Sequence, residues 1–471
     1  MIILNLSLNY KSIIINLLMK NNIILLLILA IISSCEDDDH KTSYFAGKII
    51  KNTNDKISLL KDEFVINETF ISEDGSFHMV LDSINNGLYN FKHLPEVQYV
   101  IFETKDSLVL RLNAVDFDES LVFSGKGSSK NNYLIDVFLE HENQEKFINS
   151  NLRNSPANFK KLIDSLLKLK KIKFDNFKKL KKLNKTSITI INNAIKLPLY
   201  SKMEAYISGI KQKNLLNTLN YDFYDFREDI DLNVEELSNF KPYLDYIILR
   251  TNNESGINYS PYSNLDFDFN LDRIRFVKSY ISNPVIKSKI LRYIAFEYLL
   301  KDNPLIDIDS FLNEFLKISI DDKINIEIEQ LYSNISLLQI GKTLPEIELT
   351  NEFGDSISSI ELKLNKPIIY VFWSYDQNSH QNSLFNRVFE FLNKNKNYIF
   401  HCININSNQK KWRESLNYIK KDNSIKHYIT NDFHTMSKKM ILNNLNKIII
   451  TDNKGKIISI SNIIELDSNL N

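Results

Sequence analysis

Leu364–Asn382 reads LNKPIIYVFWSYDQNSHQN. After Pro367 comes an unbroken apolar run, Ile368 to Trp373, which predicts a buried strand of a parallel sheet. The run stops at a polar turn, and beyond it Leu384, Val388, Phe391 and Leu392 fall at helical spacing. The stretch is a strand, a turn and a helix.

Working outward, Ile340–Leu349 (IGKTLPEIEL) and Gly354 precede this unit, and Tyr398–Ile405 (YIFHCINI) predicts the next central strand. Lys411–Ile419 then predicts a helix containing Trp412. Ile448–Ile458 predicts a closing hairpin turned by Asp452-Asn453-Lys454-Gly455. In this order the landmarks resemble the TlpA/ResA branch of thioredoxin-like proteins. That resemblance implies a turn carrying Trp-Cys-x-x-Cys, with the first cysteine at the helix N-terminus, where the dipole and free amides lower its pKa.

Here those slots hold Trp373, Ser374, Tyr375, Asp376 and Gln377. A serine hydroxyl can cap a helix, but it cannot be oxidised and reduced, and Gln377 is no resolving partner. The acidic residue and proline that the family places after the second cysteine are His380 and Asn382. Its proline facing the dithiol, usually cis, aligns with Asn446, where a trans bond is expected. The catalytic positions Ser374, Gln377 and Asn446 are therefore degenerate, and no catalytic residue is expected. Trp373, Tyr375, Asp376, His380 and Asn446 become a candidate binding patch, because loops at that end of an open α/β sheet are where ligands bind.

Asp376 and His380 stand four apart and could share a helix face. Two ligands are fewer than zinc or copper demands, so they read as a helix cap and a surface histidine. His401 and His434 are isolated. No nucleophile motif, phosphate loop or HExxH pattern occurs, and neither metal nor cofactor is expected.

Composition narrows the classes further. Lys+Arg and Asp+Glu are 58 each in 471 residues, so no net field favours nucleic acid, and 43% hydrophobic content supports packed cores. The chain has two cysteines. Cys402, inside a predicted strand, reads as a small buried hydrophobe. Cys35 closes MKNNIILLLILAIISSC (Met19–Cys35), which resembles a bacterial lipoprotein signal peptide with Met19 as the true start. An uncleaved anchor helix and a plain secretory signal are the alternatives. Acylation at Cys35 would tether the protein to a membrane without a spanning segment. Glu36-Asp37-Asp38-Asp39 resembles the acidic export tag of surface lipoproteins, or is a solvated linker.

The expected organisation is multidomain α+β. Residues 1–35 form the signal peptide and 36–43 an acidic tether. Residues 44–130 read as an antiparallel β-sandwich-like domain, from the short strands FAGKII, KISLLK, FHMVL, GLYNF, VQYVIF and SLVLRL. Residues 131–338 read as a helical domain, and 339–471 as the thioredoxin-like domain. In the helical part, Phe159, Leu162, Ile163, Leu166, Leu169, Phe177 and Leu180 mark one apolar face, with a lysine-rich face opposite. That second face reads as solvated, with anionic lipid as the alternative. Longer helices are expected over 197–219, 232–250, 271–301 and 308–338. The aromatic, acidic segments 221–226 and 259–269 suit packing between helices better than a ligand cleft.

These readings converge on a lipid-anchored protein of the cell envelope, at the outer membrane on its periplasmic or surface face. Its thioredoxin-like domain is redox-inactive, and its role is binding or scaffolding, with an envelope protein as possible partner. The alternatives are a thiol-disulfide oxidoreductase or peroxidase relative, and a surface nutrient- or glycan-binding protein.

Overall fold

The computed structural model describes residues 42–52, 54–62, 64–255, 267–300, 307–362 and 366–466. The signal peptide, Cys35, the run from Glu36 to Asp39 and most of the aromatic segment at 259–269 lie outside the described residues. The chain divides into two compact units. One comprises Met1–Tyr206, Leu219–Arg227 and Glu236–Tyr246, and the other Ile207–Thr218, Glu228–Glu235 and Ile247–Asn471.

The first unit begins with eight strands: β1 (Ser43–Ile50), β2 (Lys56–Lys61), β3 (Phe64–Phe70), β4 (Ser76–Leu81), β5 (Gly87–His93), β6 (Glu96–Phe102), β7 (Ser107–Asn113) and β8 (Val122–Lys126). They form two four-stranded sheets, ordered β4-β1-β7-β8 and β3-β2-β5-β6. Period-two alternation turns Phe45 and Ile49, Ile57 and Leu59, Phe77 and Met79, and Leu108, Leu110 and Leu112 into one shared core. The antiparallel expectation fails at one pair. Strands β1 and β7 run parallel, with Phe45 beside Leu108 and Gly47 beside Leu110. Alternation decides which side chains face inward; it carries no information about a partner strand's direction. Gly47 is required at that contact, since a Cβ there would lie 2.5 Å from the Leu110 carbonyl oxygen.

After a helical turn, α1 (Phe117–Ser120), come α2 (Ser128–Ser150), α3 (Pro156–Leu180) and α4 (Lys185–Gln212), the last passing from the first unit into the second. A buried ion pair ties the sandwich to these helices. Lys130 on α2 reaches Asp106, in the turn before β7, at 2.6 Å, and both residues are only 3% exposed. The same carboxylate oxygen accepts the Glu103 amide at 2.7 Å, and Glu103 in turn accepts the Ser187 hydroxyl of α4 at 2.5 Å. Gly127, at φ +92°, lets the chain enter α2 close by, where a Cβ would collide with the Asp106 carboxyl.

Helix α3 corrects the expected stripe. Phe159, Ile163, Leu167, Lys170 and Phe174 are its buried residues, whereas Leu169 is 60% and Leu180 81% exposed. At 3.6 residues per turn the two leucines lie roughly 120° round the axis from that buried stripe. Lys170 takes an inward position because Glu140 of α2 meets its ammonium at 3.4 Å.

In the second unit, α5 (Lys241–Glu254), which begins in the first, is followed by α6 (Phe267–Tyr280), α7 (Pro284–Leu299), α8 (Ile308–Ile318) and α9 (Asp322–Leu337). The single helices expected over 271–301 and 308–338 are thus two each. Asn283 caps α7 by accepting the Val285 and Ile286 amides, with Pro284 at the first helical position, where its missing N–H costs nothing. Asp321 caps α9 through the Lys323 and Ile324 amides.

The remaining elements are β9 (Glu348–Asn351), β10 (Ser356–Ser358), β11 (Ile368–Trp373), α10 (Asn378–Lys394), β12 (Ile399–Asn404), α11 (Gln409–Leu416), β13 (Ile425–Thr430), α12 (Phe433–Lys439), β14 (Lys447–Thr451) and β15 (Ile457–Asn462). Their sheet runs β10-β9-β13-β12-β11-β14-β15. Strand β11 pairs parallel with β12 and antiparallel with β14, so its C-terminal end lies beside the start of β14. This is the arrangement expected from the sequence for strand, helix, parallel strand and closing hairpin, with β13 added on the outer side of β12.

Removing one partner of the buried pair in the first unit leaves an uncompensated charge. Lys130→Met should lower the unfolding free energy by about 3 kcal/mol. Urea titration checks this, and Lys130→Met/Asp106→Asn should recover part of the loss because neither charge is then buried alone.

Candidate functional site

At the C-terminal end of β11 the chain leaves the core between Trp373 and Ser374. Trp373 is fully buried and stacks edge-to-face on Phe385 of α10 at 5.4 Å. It is core and takes no part in an exposed patch, because β11 places it on the inward side of the sheet under α10.

The loop that follows is closed by one asparagine. The Ser374 hydroxyl, on a residue 3% exposed, donates to Asn406 Oδ1 at 2.8 Å, and the Tyr375 amide donates to the same oxygen at 3.1 Å. Asn406 Nδ2 donates to Asp376 Oδ2 at 2.9 Å, while the Asp376 amide donates back to Ser374 Oγ at 3.2 Å. The backbone repeats the link, since the Ile405 amide donates to the Trp373 carbonyl at 2.9 Å. Ser374 therefore does not cap α10. Gln377 occupies the N-cap position, is exposed, and makes no side-chain capping bond. Asp376 is likewise turned to Asn406 and caps nothing.

His380 is not a surface histidine. Its ring nitrogens are shielded from solvent without a hydrogen bond of good geometry, and burial holds its pKa below the ordinary value. The Asn446 side chain and the Leu445 backbone face the ring and partly offset that depression. The structure thus brings His380 and Asn446 together across the loop ends. Tyr375, half-buried, packs on the α10 and β12 core, and burial raises its phenol pKa. The Leu445–Asn446 peptide is trans; among the described residues the one cis peptide is Leu94–Pro95.

Among the described residues no thiol faces this site. Cys402 is free and wholly buried on β12, and burial pushes its thiol pKa far upward. Its neighbour His401 is also buried, its ring between Tyr370 and Tyr428 at 5.3 and 5.1 Å, with neither nitrogen hydrogen-bonded. Burial lowers its pKa to about 3. Among the described residues no three His, Cys, Asp or Glu side chains converge as a metal site. A separate cavity of about 370 Å³ near the end of β13 is lined by Glu346, Glu348, Asn431, Asp432, Thr435 and Lys439, and the Lys439 ammonium donates to the Glu346 carbonyl at 2.8 Å.

Sequence reasoning missed Asn406. The signal was the asparagine-rich segment Asn404-Ile405-Asn406-Ser407-Asn408, a turn cluster directly after a predicted parallel strand, which is where sheet-end loops carry their polar work.

No family model and no curated protein matches the chain. Solved structures similar to part of it include proteins described as thiol-disulfide oxidoreductases. One is the thioredoxin domain of a thiol-disulfide oxidoreductase from Bacteroides vulgatus, at 17% identity, covering 28% of this chain and 99% of that one with a TM-score of 0.24. Another is a thiol-disulfide oxidoreductase from Bacteroides fragilis, at 21% identity, 25% and 89% coverage and a TM-score of 0.21. A third is a thiol:disulfide interchange protein from Bacteroides sp., at 18% identity, 26% and 82% coverage and a TM-score of 0.22. The likeness extends over part of the chain only.

Asn406→Ala should release the loop, since it strips partners from the Ser374 hydroxyl and the Tyr375 amide together. Hydrogen exchange should show protection of the Tyr375 amide falling at least tenfold, with a stability loss of about 2 kcal/mol.

A pH effect follows from His401. Its folded pKa lies below the unfolded value of about 6.5, so the unfolded chain binds the extra proton, and stability is lost as pH falls from about 6.5 towards 3. His401→Phe, which keeps the aromatic packing, should lessen the fall in thermal stability across that window, to which buried His427 and His141 still contribute, and leave stability little changed at pH 8.

Proposed function

We propose that this chain is a lipid-anchored protein of the bacterial cell envelope whose thioredoxin-like part binds or scaffolds a partner and does not exchange disulfides. The observation that carries this reading is the Ser374–Asn406–Asp376 network. A hydroxyl stands in the nucleophile slot, and its proton and one of its lone pairs are engaged in holding the loop. Disulfide exchange needs an accessible thiolate, and Cys402, the one cysteine besides Cys35, is buried with a raised pKa. Anchoring rests on the sequence from Met19 to Cys35. Among the described residues no helix is long and apolar enough to cross a membrane.

We assign binding to the loop ends at Tyr375, His380 and Asn446, which stand half-buried together at one end of the sheet. Oxidoreductase activity, which the sequence resemblance alone would suggest, is the competing reading.

The test has two arms on the full-length chain. Insulin reduction with dithiothreitol should not rise above the thiol background, and a rate above it, whether or not Cys402→Ser abolishes it, would establish the competing reading. In the second arm, cross-linked partners recovered with the wild type should be lost with Tyr375→Ala/His380→Ala, compared below the melting temperatures of both proteins and after circular dichroism shows both folded. Identical recovery would remove the binding role from this surface.

A further inference from the structure

The outer face of α3 is built differently from a solvated helix face. The helix carries eight lysines against two aspartates. Both aspartates are taken by lysines of the same helix, Asp164 by Lys160 at 3.4 Å and Asp175 by Lys178 at 2.8 Å. Two further lysines, Lys170 and Lys173, are turned to Glu140 of α2. Lys161, Lys168 and Lys179 are left on the exposed side. At 100° per residue they fall on one line along the axis, with the lysine-paired Asp164 and Asp175 beside it.

Aliphatic side chains stand among these lysines. Ile172, 49% exposed, lies on the same line between Lys168 and Lys179, and Leu169 and Leu180, 60% and 81% exposed, lie roughly 90° round from it. Leu180 stands at the C-terminal end among Lys179, Lys181 and Lys182, all exposed. Solvation alone accounts for lysines but not for three large aliphatic side chains among them. Long lysine stems flanking exposed leucines are the pattern of a helix lying in a bilayer interface, with aliphatic groups below the headgroups and ammonium groups at the phosphates.

We infer that the outer face of α3, through Lys161, Lys168, Lys179, Leu169, Ile172 and Leu180, docks on an anionic lipid bilayer. Charge selects the partner: a face on which lysines outnumber two lysine-paired aspartates attracts a negatively charged leaflet within a Debye length, and the aliphatic side chains separate a bilayer from soluble polyanions, which offer no apolar phase. This contact goes beyond the N-terminal tether. It rests on a different part of the chain and would orient the protein rather than merely hold it.

Lysine footprinting reads it directly. The full-length chain is reconstituted with vesicles of phosphatidylcholine alone or of phosphatidylcholine with about a third phosphatidylglycerol, so that the N-terminal segment serves both preparations equally. Acetylation by an activated ester is then followed by mass spectrometry. On the anionic vesicles Lys161, Lys168 and Lys179 should be modified at least threefold more slowly, with Lys317, 67% exposed on the second unit, unchanged. The protection should vanish at 0.5 M NaCl and in Leu169→Ser/Ile172→Ser/Leu180→Ser, whose changes lie on the surface and spare the core. Equal modification on both vesicles would overturn the inference, as would slowing that includes Lys317. Protection that survives the triple serine variant, or that single-stranded DNA reproduces, would make the face a general polyanion surface and overturn it equally.

Discussion

Strand β11 has six residues and none reaches solvent. A strand of that kind is stable only in the interior of a sheet with a layer on each face. Ile369, Val371 and Trp373 supply one core with α10 and α11, while Ile368, Tyr370 and Phe372 supply the other with Leu349, Met436 and Met440. Burying six such side chains is worth on the order of 10 kcal/mol. The parallel partner β12, the antiparallel partner β14 and both covering layers follow from that requirement.

The same requirement creates the site. Where β11 leaves the core, its last carbonyl and the first polar groups of the loop must find partners close to the sheet end. Asn406 and Ile405, delivered by the parallel strand beside it, meet that need with donors and acceptors in matched positions. Ser374 fits because a hydroxyl both donates and accepts, as it does here towards Asn406 and from Asp376; a thiol does either only weakly. The residue at the degenerate position thus has a structural reason to be serine, independent of any lost chemistry.

In the first unit the decisive polar contact is buried rather than at a loop end. Asp106 pays for its burial through Lys130 and the Glu103 amide, and Glu103 carries the link on to Ser187. The inward lysine Lys170 follows the same rule, being tolerated where Glu140 meets it. Lysine content alone is therefore a poor guide to surface on these helices. Glu140 meets both Lys170, which is buried, and Lys173, which stays exposed, so the position on the helix decides which lysine turns in and the carboxylate makes that burial tolerable.

The sequence by itself determined the elements whose signal is local: β11 from its unbroken apolar run, α10 from helical spacing, the hairpin β14–β15 from its turn, and most strands of the sandwich from alternation. It also determined the chemistry of the slots, because residue identity alone says that Ser374 and Gln377 are not thiols. Tertiary structure decided what depends on residues far apart in the chain. The breaks at Asn283-Pro284 and Asp321 are local capping signals that the expected long helices passed over, whereas strand direction in β1–β7 and the insertion of β13 beside β12 carry little local signal. The roles of the site residues were decided in the same way. Trp373 was drawn into the core by the sheet, Ser374 and Asp376 were turned from capping to Asn406, and His380 was brought to Asn446, since each partner comes from a different loop. On α3 a seven-residue apolar list could not separate the buried stripe from the exposed Leu169 and Leu180, because only the surface actually packed against the helix shows which face is inside.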